Sequence, residues 1–297
     1  GKLYIPKFDT VDIAGTEFVI PTTKTTPSPS NLKFVGKGSL KAVVNMLNNP
    51  PISVFKSNEK IFNSVDGVID FKADLEFPLK KEVTAEEMSY LVYGMISEFA
   101  VPNFNGQEDI YGNKVDFELT SENLTLNGVI NALGTQFSSK LLYNLATQKV
   151  VFDADFDIDQ SLIDAINFPL PPKTLFGKST GTVHVEAPKA AKVSIDIVSD
   201  LVGLGLSIPG LKWSKPVDLN GNLIATATFE DGLNFESFSL DTNGLRLNGK
   251  PMVTSAGVAA GFDIDEFKID ERINVSGIVE ANERITIKNG YFDARPF

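Results

Sequence analysis

Cysteine is absent from the 297 residues, and histidine and tryptophan occur once each. Without thiols there can be no disulfide framework, no zinc–thiolate site and no thiol nucleophile. With no second histidine beside it, His184 reads as an ordinary surface or groove-edge residue on an alternating strand. A basic surplus is also missing. The net charge of −11 and a pI near 4.7 argue against nucleic acid and against plain electrostatic adhesion to anionic headgroups. No apolar run approaches the roughly 18 residues of a membrane span. Nor does a signal peptide open the chain; Gly1-Lys-Leu-Tyr reads as a cut inside a longer protein. Gly203-Leu-Gly205 lacks the third glycine and the Lys-Ser/Thr of a phosphate loop.

What the chain does have is alternation. A hydrophobic content of 42% is ample for a core. Ile69, Phe71, Ala73, Leu75 and Phe77 alternate with charged residues, as do Val115, Phe117 and Leu119, followed by Leu124 and Leu126. In the stretch Lys192 to Pro216, Val193, Ile195 and Ile197 repeat the pattern before Trp213; Leu223, Ala225 and Ala227 continue it. Period 2 predicts strands with one apolar and one wet face. Asp231-Gly232 and Asn243-Gly244 supply tight hairpin turns between strands 222–230, 233–241 and 245–250. Gly15 reads as a turn between two short strands, and Thr22 to Ser30 as a loop.

Helical spacing is confined to two places. Leu40, Val43, Val44 and Leu47 predict a helix over 39–47, stopped by Asn48-Asn49-Pro50-Pro51, and a second short helix falls near 161–166. The first reads as a cap on one end of a sheet. A weak repeat, Leu124-Thr-Leu-Asn-Gly, Leu245-Arg-Leu-Asn-Gly and Ile273-Asn-Val-Ser-Gly, reads as three strand ends.

Two features invite a chemical reading. Asp153, Asp155, Asp157 and Asp159 resemble a metal loop, but Ala154, Phe156 and Ile158 between them mark a solvated strand face, and Ile158 stands where a calcium loop wants glycine. Trp213 is either a packing anchor with its N–H on a carbonyl or a headgroup contact flanked by Lys212 and Lys215. No catalytic constellation emerges, and no cofactor is implied. The expectation is a non-enzyme.

The alternating apolar positions outnumber what two short helices can cover, so the face needs a second sheet, a helix layer, a closed barrel or a ligand. Sequence periodicity leaves these open. The order and spacing of Gly38-Ser-Leu-Lys-Ala-Val-Val-Asn-Met-Leu, Pro50-Pro51, Val65 to Lys81, Thr84-Ala-Glu-Glu-Met, Met95 to Pro102 and Asn123-Leu-Thr-Leu-Asn-Gly, together with the stretch around Trp213, resemble the AsmA-like family of Gram-negative envelope proteins, in its YhdP- and TamB-related branch. The resemblance is best over 38–250.

That resemblance implies a mainly β fold over 1–297: an elongated, strongly curved antiparallel sheet forming a hydrophobic groove, with a few short helices. It implies a periplasmic segment, held at the inner membrane by an anchor elsewhere, that carries phospholipid toward the outer membrane. Val115, Phe117, Leu119, Leu124, Leu126, Val193, Ile195, Ile197, Leu223, Ala225 and Ala227 would line the groove, with phospholipid or another acyl lipid as partner and no nucleic acid. The alternative is a structural or assembly factor of the envelope with a self-filled β core and protein partners.

Overall fold

The structure, a computed structural model, describes residues 1–4, 10–48, 64–84, 87–104, 109–166, 170, 174–230, 232–254, 259–280, 284–293 and 295. The expected helix stop at 49–51 and Asp231 lie outside the described residues. The fold is mainly β, built from antiparallel strands that do not close into a barrel. Two compact units emerge, Gly1–Ala132 with Ser138–Val150, and Leu133–Phe137 with Val151–Phe297.

The first unit is a meander of β1 (Lys2–Tyr4), β2 (Thr10–Val19), β3 (Ser28–Ser39), β4 (Asp66–Leu79), β5 (Ser89–Val101), β6 (Ile110–Thr120) and β7 (Asn123–Ala132), with β8 (Thr135–Asn144) following. From β1 to β7 each strand pairs antiparallel with the next. Directly opposed residues share a face, so the registers define rows across the sheet. Phe34, Ala73, Val92, Leu119 and Leu124 form one; Gly38, Ile69, Ile96 and Val115 form another. Between them Phe71 faces Gly36, a position where any side chain would collide with its ring. Helix α1 (Leu40–Asn48) starts where β3 ends, with the Ser39 hydroxyl accepting from the Ala42 N–H at 3.2 Å. Its apolar stripe, Leu40, Val43 and Val44, is buried on the rows beneath.

In the second unit, β9 (Val150–Ile158), β11 (Ser179–Ala187), β12 (Val193–Ser199), β15 (Asn222–Phe229), β16 (Leu233–Thr242), β17 (Leu245–Val253), β18 (Ala259–Ile269), β19 (Ile273–Glu280) and β20 (Ile285–Phe292) pair in that order. Helix α2 (Gln160–Ala165) follows β9, capped by the Asp159 carboxylate accepting from the Leu162 N–H. A separate three-stranded sheet of β10 (Leu175–Gly177), β13 (Leu204–Ile208) and β14 (Trp213–Lys215) contributes the other side of the core. Its Leu175 and Leu204 join Ala154, Phe156, Ile158 and Val183; its Trp213 joins Leu245, Ile269 and Ile273.

Two polar contacts lock this cover. Trp213 is only 5% exposed, and its Nε1–H donates to the Asn243 carbonyl at 2.9 Å, while the Asn243 amide donates back to the Ser214 carbonyl at 2.6 Å. Asn243 and Gly244 form the expected positive-φ turn between β16 and β17. Lys215 is fully buried, its ammonium donating to the carbonyls of Leu201, Leu204 and Pro216 at 2.8, 2.6 and 3.2 Å. Trp213 is therefore the packing anchor, and Lys215 cannot meet a headgroup.

Two sequence expectations are corrected. Gly15 is not a turn: β2 runs through it with a register shift between Ala14 and Glu17. The repeat glycines Gly128, Gly249 and Gly277 lie inside strands rather than ending them. At Gly249 and Gly277 the ladder slips by a residue, and a Cβ there would strike the carbonyls of Asp263 and Thr286 on the neighbouring strands. A bulge needs that bare backbone, and it bends the strand without stopping it.

Removing the indole tests the cover. Trp213→Ala is expected to cost about 3–5 kcal/mol of unfolding free energy, read by urea titration with circular dichroism. A loss below about 1 kcal/mol, the range of ordinary surface changes, would show that the ring holds little of the fold.

Candidate apolar site

The candidate site is the apolar face of each unit. In the first unit Val115, Phe117 and Leu119 alternate along β6 and are all buried. Leu124 and Leu126 of β7, paired with Leu119 and Phe117, are half-buried against the same cluster. These five residues do converge, and they pack with Ile69, Phe71, Ile96 and the stripe of α1.

The second group lies in the second unit. Ile195 pairs with Ala227 and Ile197 with Ala225, while Val193 pairs with Phe229 and Leu223 with Ser199. Ala225 and Ala227 are buried; Val193, Ile195, Ile197 and Leu223 are half-buried. Ile195, Ile197 and Leu223 pack on the cluster shared with Leu175, Leu201 and Leu204. Ala225 and Ala227 on β15 stand between Ile197 and Ile195 of β12 on one side and Phe238 and Phe235 of β16 on the other.

Neither apolar face ends where its cover ends. In the first unit the row Phe18, Leu32 and Leu75 shares a side with Phe77, whose ring centroid lies 6.4 Å from that of Phe18. Phe18 and Leu79 are 49% and 47% exposed. In the second unit a row runs from Phe238 through Gly249, Ile264 and Gly277 to Ile287, and a second from Phe262 through Val279 to Ile285. Phe238 and Phe262 meet edge to face at 5.5 Å. On β20, Ile285 and Ile287 are 68% and 58% exposed. Sequence reasoning named Phe77 as an alternating position but did not single it out. Burial at one end of a strand and exposure at the other leave the same pattern in the sequence.

Three carboxylates of the acidic row have structural partners. Asp153, Asp155, Asp157 and Asp159 fall on the polar side of β9 and at its end. Asp157 accepts from Lys178 at 2.7 Å, Asp159 caps α2, and Asp153 lies 2.6 Å from His184 Nδ1. Among the described residues no group of three or more His, Asp or Glu could hold a metal ion. On the charged side of the first unit, an open depression of about 480 Å³ lies over Gly94 between Val35, Tyr93 and Met95, with Asp70, Asp116 and Lys72 at its rim. Among the described residues no helix is long and apolar enough to cross a membrane.

His184 is held above its ordinary 6.5, first by the hydrogen bond to Asp153, then by the charges of Asp153, Glu186 and Asp196, with burial opposing. The folded chain thus binds this proton more tightly than the unfolded one. The contribution is complete below pH 6.5 and disappears as pH rises through the elevated folded value. Both side chains are well exposed, so it is worth under about 1 kcal/mol. Asp153→Asn is expected to lower the imidazole titration midpoint seen by NMR and to flatten this part of the stability curve. An unchanged midpoint would show that the pair does not form in solution.

The acidic row has its own check. Calcium or EDTA should leave the Tm unchanged, whereas a rise with calcium beyond an ionic-strength control would revive the metal reading.

Comparison with family models, with curated proteins and with solved structures finds no match to this chain.

Proposed function

We propose that this chain is a lipid-transfer segment of the AsmA-like kind, in which the apolar sheet face shelters phospholipid acyl chains while headgroups stay in water. The observation that carries the reading is the continuation of both apolar faces beyond their covers, at Phe18 and Leu79 in one unit and at Ile285 and Ile287 in the other. An unclosed antiparallel sheet can present such a face as a trough. Each methylene sheltered there gains about 0.8 kcal/mol, and non-directional burial would let a chain slide without bond making or proton transfer. On this reading the protein is not an enzyme, works in the periplasm between inner and outer membrane, and is anchored at the inner membrane in its full-length form. The curved groove that this function requires is part of the proposal.

A second reading has its own support. Val115, Phe117 and Leu119 are buried in one cluster with the stripe of α1, as in an envelope scaffold whose core is filled by its own side chains.

Site-specific photo-crosslinking separates the two. A photo-reactive residue at Ile197 or Ile287, both on the apolar face, is expected to capture phospholipid in cells. The same residue at Val198, exposed on the opposite face, is expected to capture none. Lipid recovered equally from all three, or from none of them with no phospholipid co-purifying, would overturn the transfer reading in favour of the scaffold.

A further inference from the structure

Among the described residues Asn127, Asn220, Asn243, Asn248 and Asn289 are each followed by glycine. In four of these pairs the groups are held by other partners. The Gly221 N–H donates to the Asp200 carbonyl at 2.7 Å. Asn243 donates its side-chain amide to the Ser214 carbonyl, and Asn248 is held at both ends, accepting from Ser239 at 2.8 Å and donating to Glu266 at 3.1 Å. Asn127 and Gly128 lie opposite Asp116 and Val115 in the β6–β7 ladder, and the Gly128 carbonyl accepts from Ser139 of β8 at 2.9 Å. The fifth pair differs. The Gly290 N–H donates to Oδ1 of Asn289 itself at 2.8 Å. All eight residues of β20 are exposed, and Gly290 holds a φ of +125°, which glycine adopts without strain.

We infer that Asn289 is the site at which the folded chain modifies itself, by closing a succinimide on the Gly290 nitrogen. The contact sets that nitrogen beside the side-chain amide: Cγ lies one C=O bond from an oxygen already 2.8 Å away, close to the separation from which reacting atoms attack. Hydroxide from water removes the Gly290 amide proton, and the nitrogen attacks Asn289 Cγ. The N–Cγ bond forms, the Cγ–Nδ2 bond breaks, and the leaving nitrogen takes a proton from water to depart as ammonia. A second water opens the ring. Opening at Cγ leaves aspartate, and opening at the main-chain carbonyl leaves isoaspartate, with no oxidation or reduction in either case. Each product adds a negative charge to a chain at −11. Isoaspartate also lengthens the main chain of β20 by one methylene. Beyond it Gly290, Tyr291 and Phe292 pair with Val275, Asn274 and Ile273, and the Gly290 backbone is so near β19 that a Cβ would strike the Asn274 carbonyl. A longer main chain cannot keep both that approach and that register. This end of β20 then lifts and uncovers Ile273, which is 1% exposed. The modification does not depend on lipid being carried along the sheet.

Ageing the folded chain at mildly alkaline pH and mapping its peptides by mass spectrometry tests this. The amide-to-acid mass change is expected at Asn289 about tenfold faster than at Asn127, Asn220, Asn243 or Asn248, within what a misplacement of about 1 Å costs a reacting pair. In urea, where the fold no longer holds the contact, that lead should collapse. Asn289→Gln, whose extra methylene makes the ring one atom larger, should abolish the change at this position and leave the circular dichroism as it was. In the aged parent, hydrogen exchange should quicken at Ile273–Val275, and in aged Asn289→Gln it should not. A rate at Asn289 no greater than at Asn127 or Asn248 in the folded chain, or a lead that persists in urea, would overturn the assignment of the site to the fold. Unchanged exchange at Ile273–Val275 in the isoaspartyl form would overturn the loosening of β20.

Discussion

A meander strand whose residues alternate between water and hydrocarbon produces a face that the next strand cannot cover, because the next strand only lengthens it. The rest of the structure answers that constraint. Among the described residues the cover of the first unit is one helix, α1. Nine residues of α1 reach about 14 Å at the helical rise, while the fourteen residues of β4 extend about 45 Å at the strand rise. The helix therefore packs on β2, β3 and β4 near its own start and cannot reach Phe77 or Leu79. Exposure at that end follows from a length mismatch between two elements.

The second unit covers more of its face with a small sheet, and polar groups hold that sheet in place. An ammonium with three protons facing three carbonyls has every donor satisfied. Burial pushes Lys215 below its usual range, opposed by the charges of Asp218 and Asp200. The lysine ties the Leu201–Leu204 bend to the end of β14, and the indole ties the start of β14 to the β16–β17 turn. An apolar residue at 215 would fill the same space and leave the Leu201 and Pro216 carbonyls without this donor, a loss that buried carbonyls tolerate poorly.

The opposite faces are kept wet by charge. Lys37 with Asp70 and Lys33 with Asp74 pair directly across β3 and β4, and Lys178 meets Asp157. Exposed pairs of this kind add little stability. Their effect is to make a register slip costly, since moving one residue would turn lysine and aspartate toward the core and Phe71 toward water.

Much of this was legible in residues alone. Alternation at 69–77, 115–119 and 193–197 marked strands and their apolar sides, Asn243-Gly244 marked a hairpin, and Leu40, Val43, Val44 and Leu47 marked α1, because each of these signals is local and set by backbone geometry within a few residues. The glycines of the repeat were visible, but their meaning was not. Whether Gly249 ends a strand or lets a neighbour's carbonyl pass depends on Asp263, fourteen residues away. The burial of Lys215 was equally hidden, since a lysine beside tryptophan reads as a surface pair until Leu201 and Leu204 are folded over it. The sequence by itself determined which side of each strand must leave water. Only the tertiary structure decided what covers that side and where the cover stops, because those depend on the lengths of elements that meet through space.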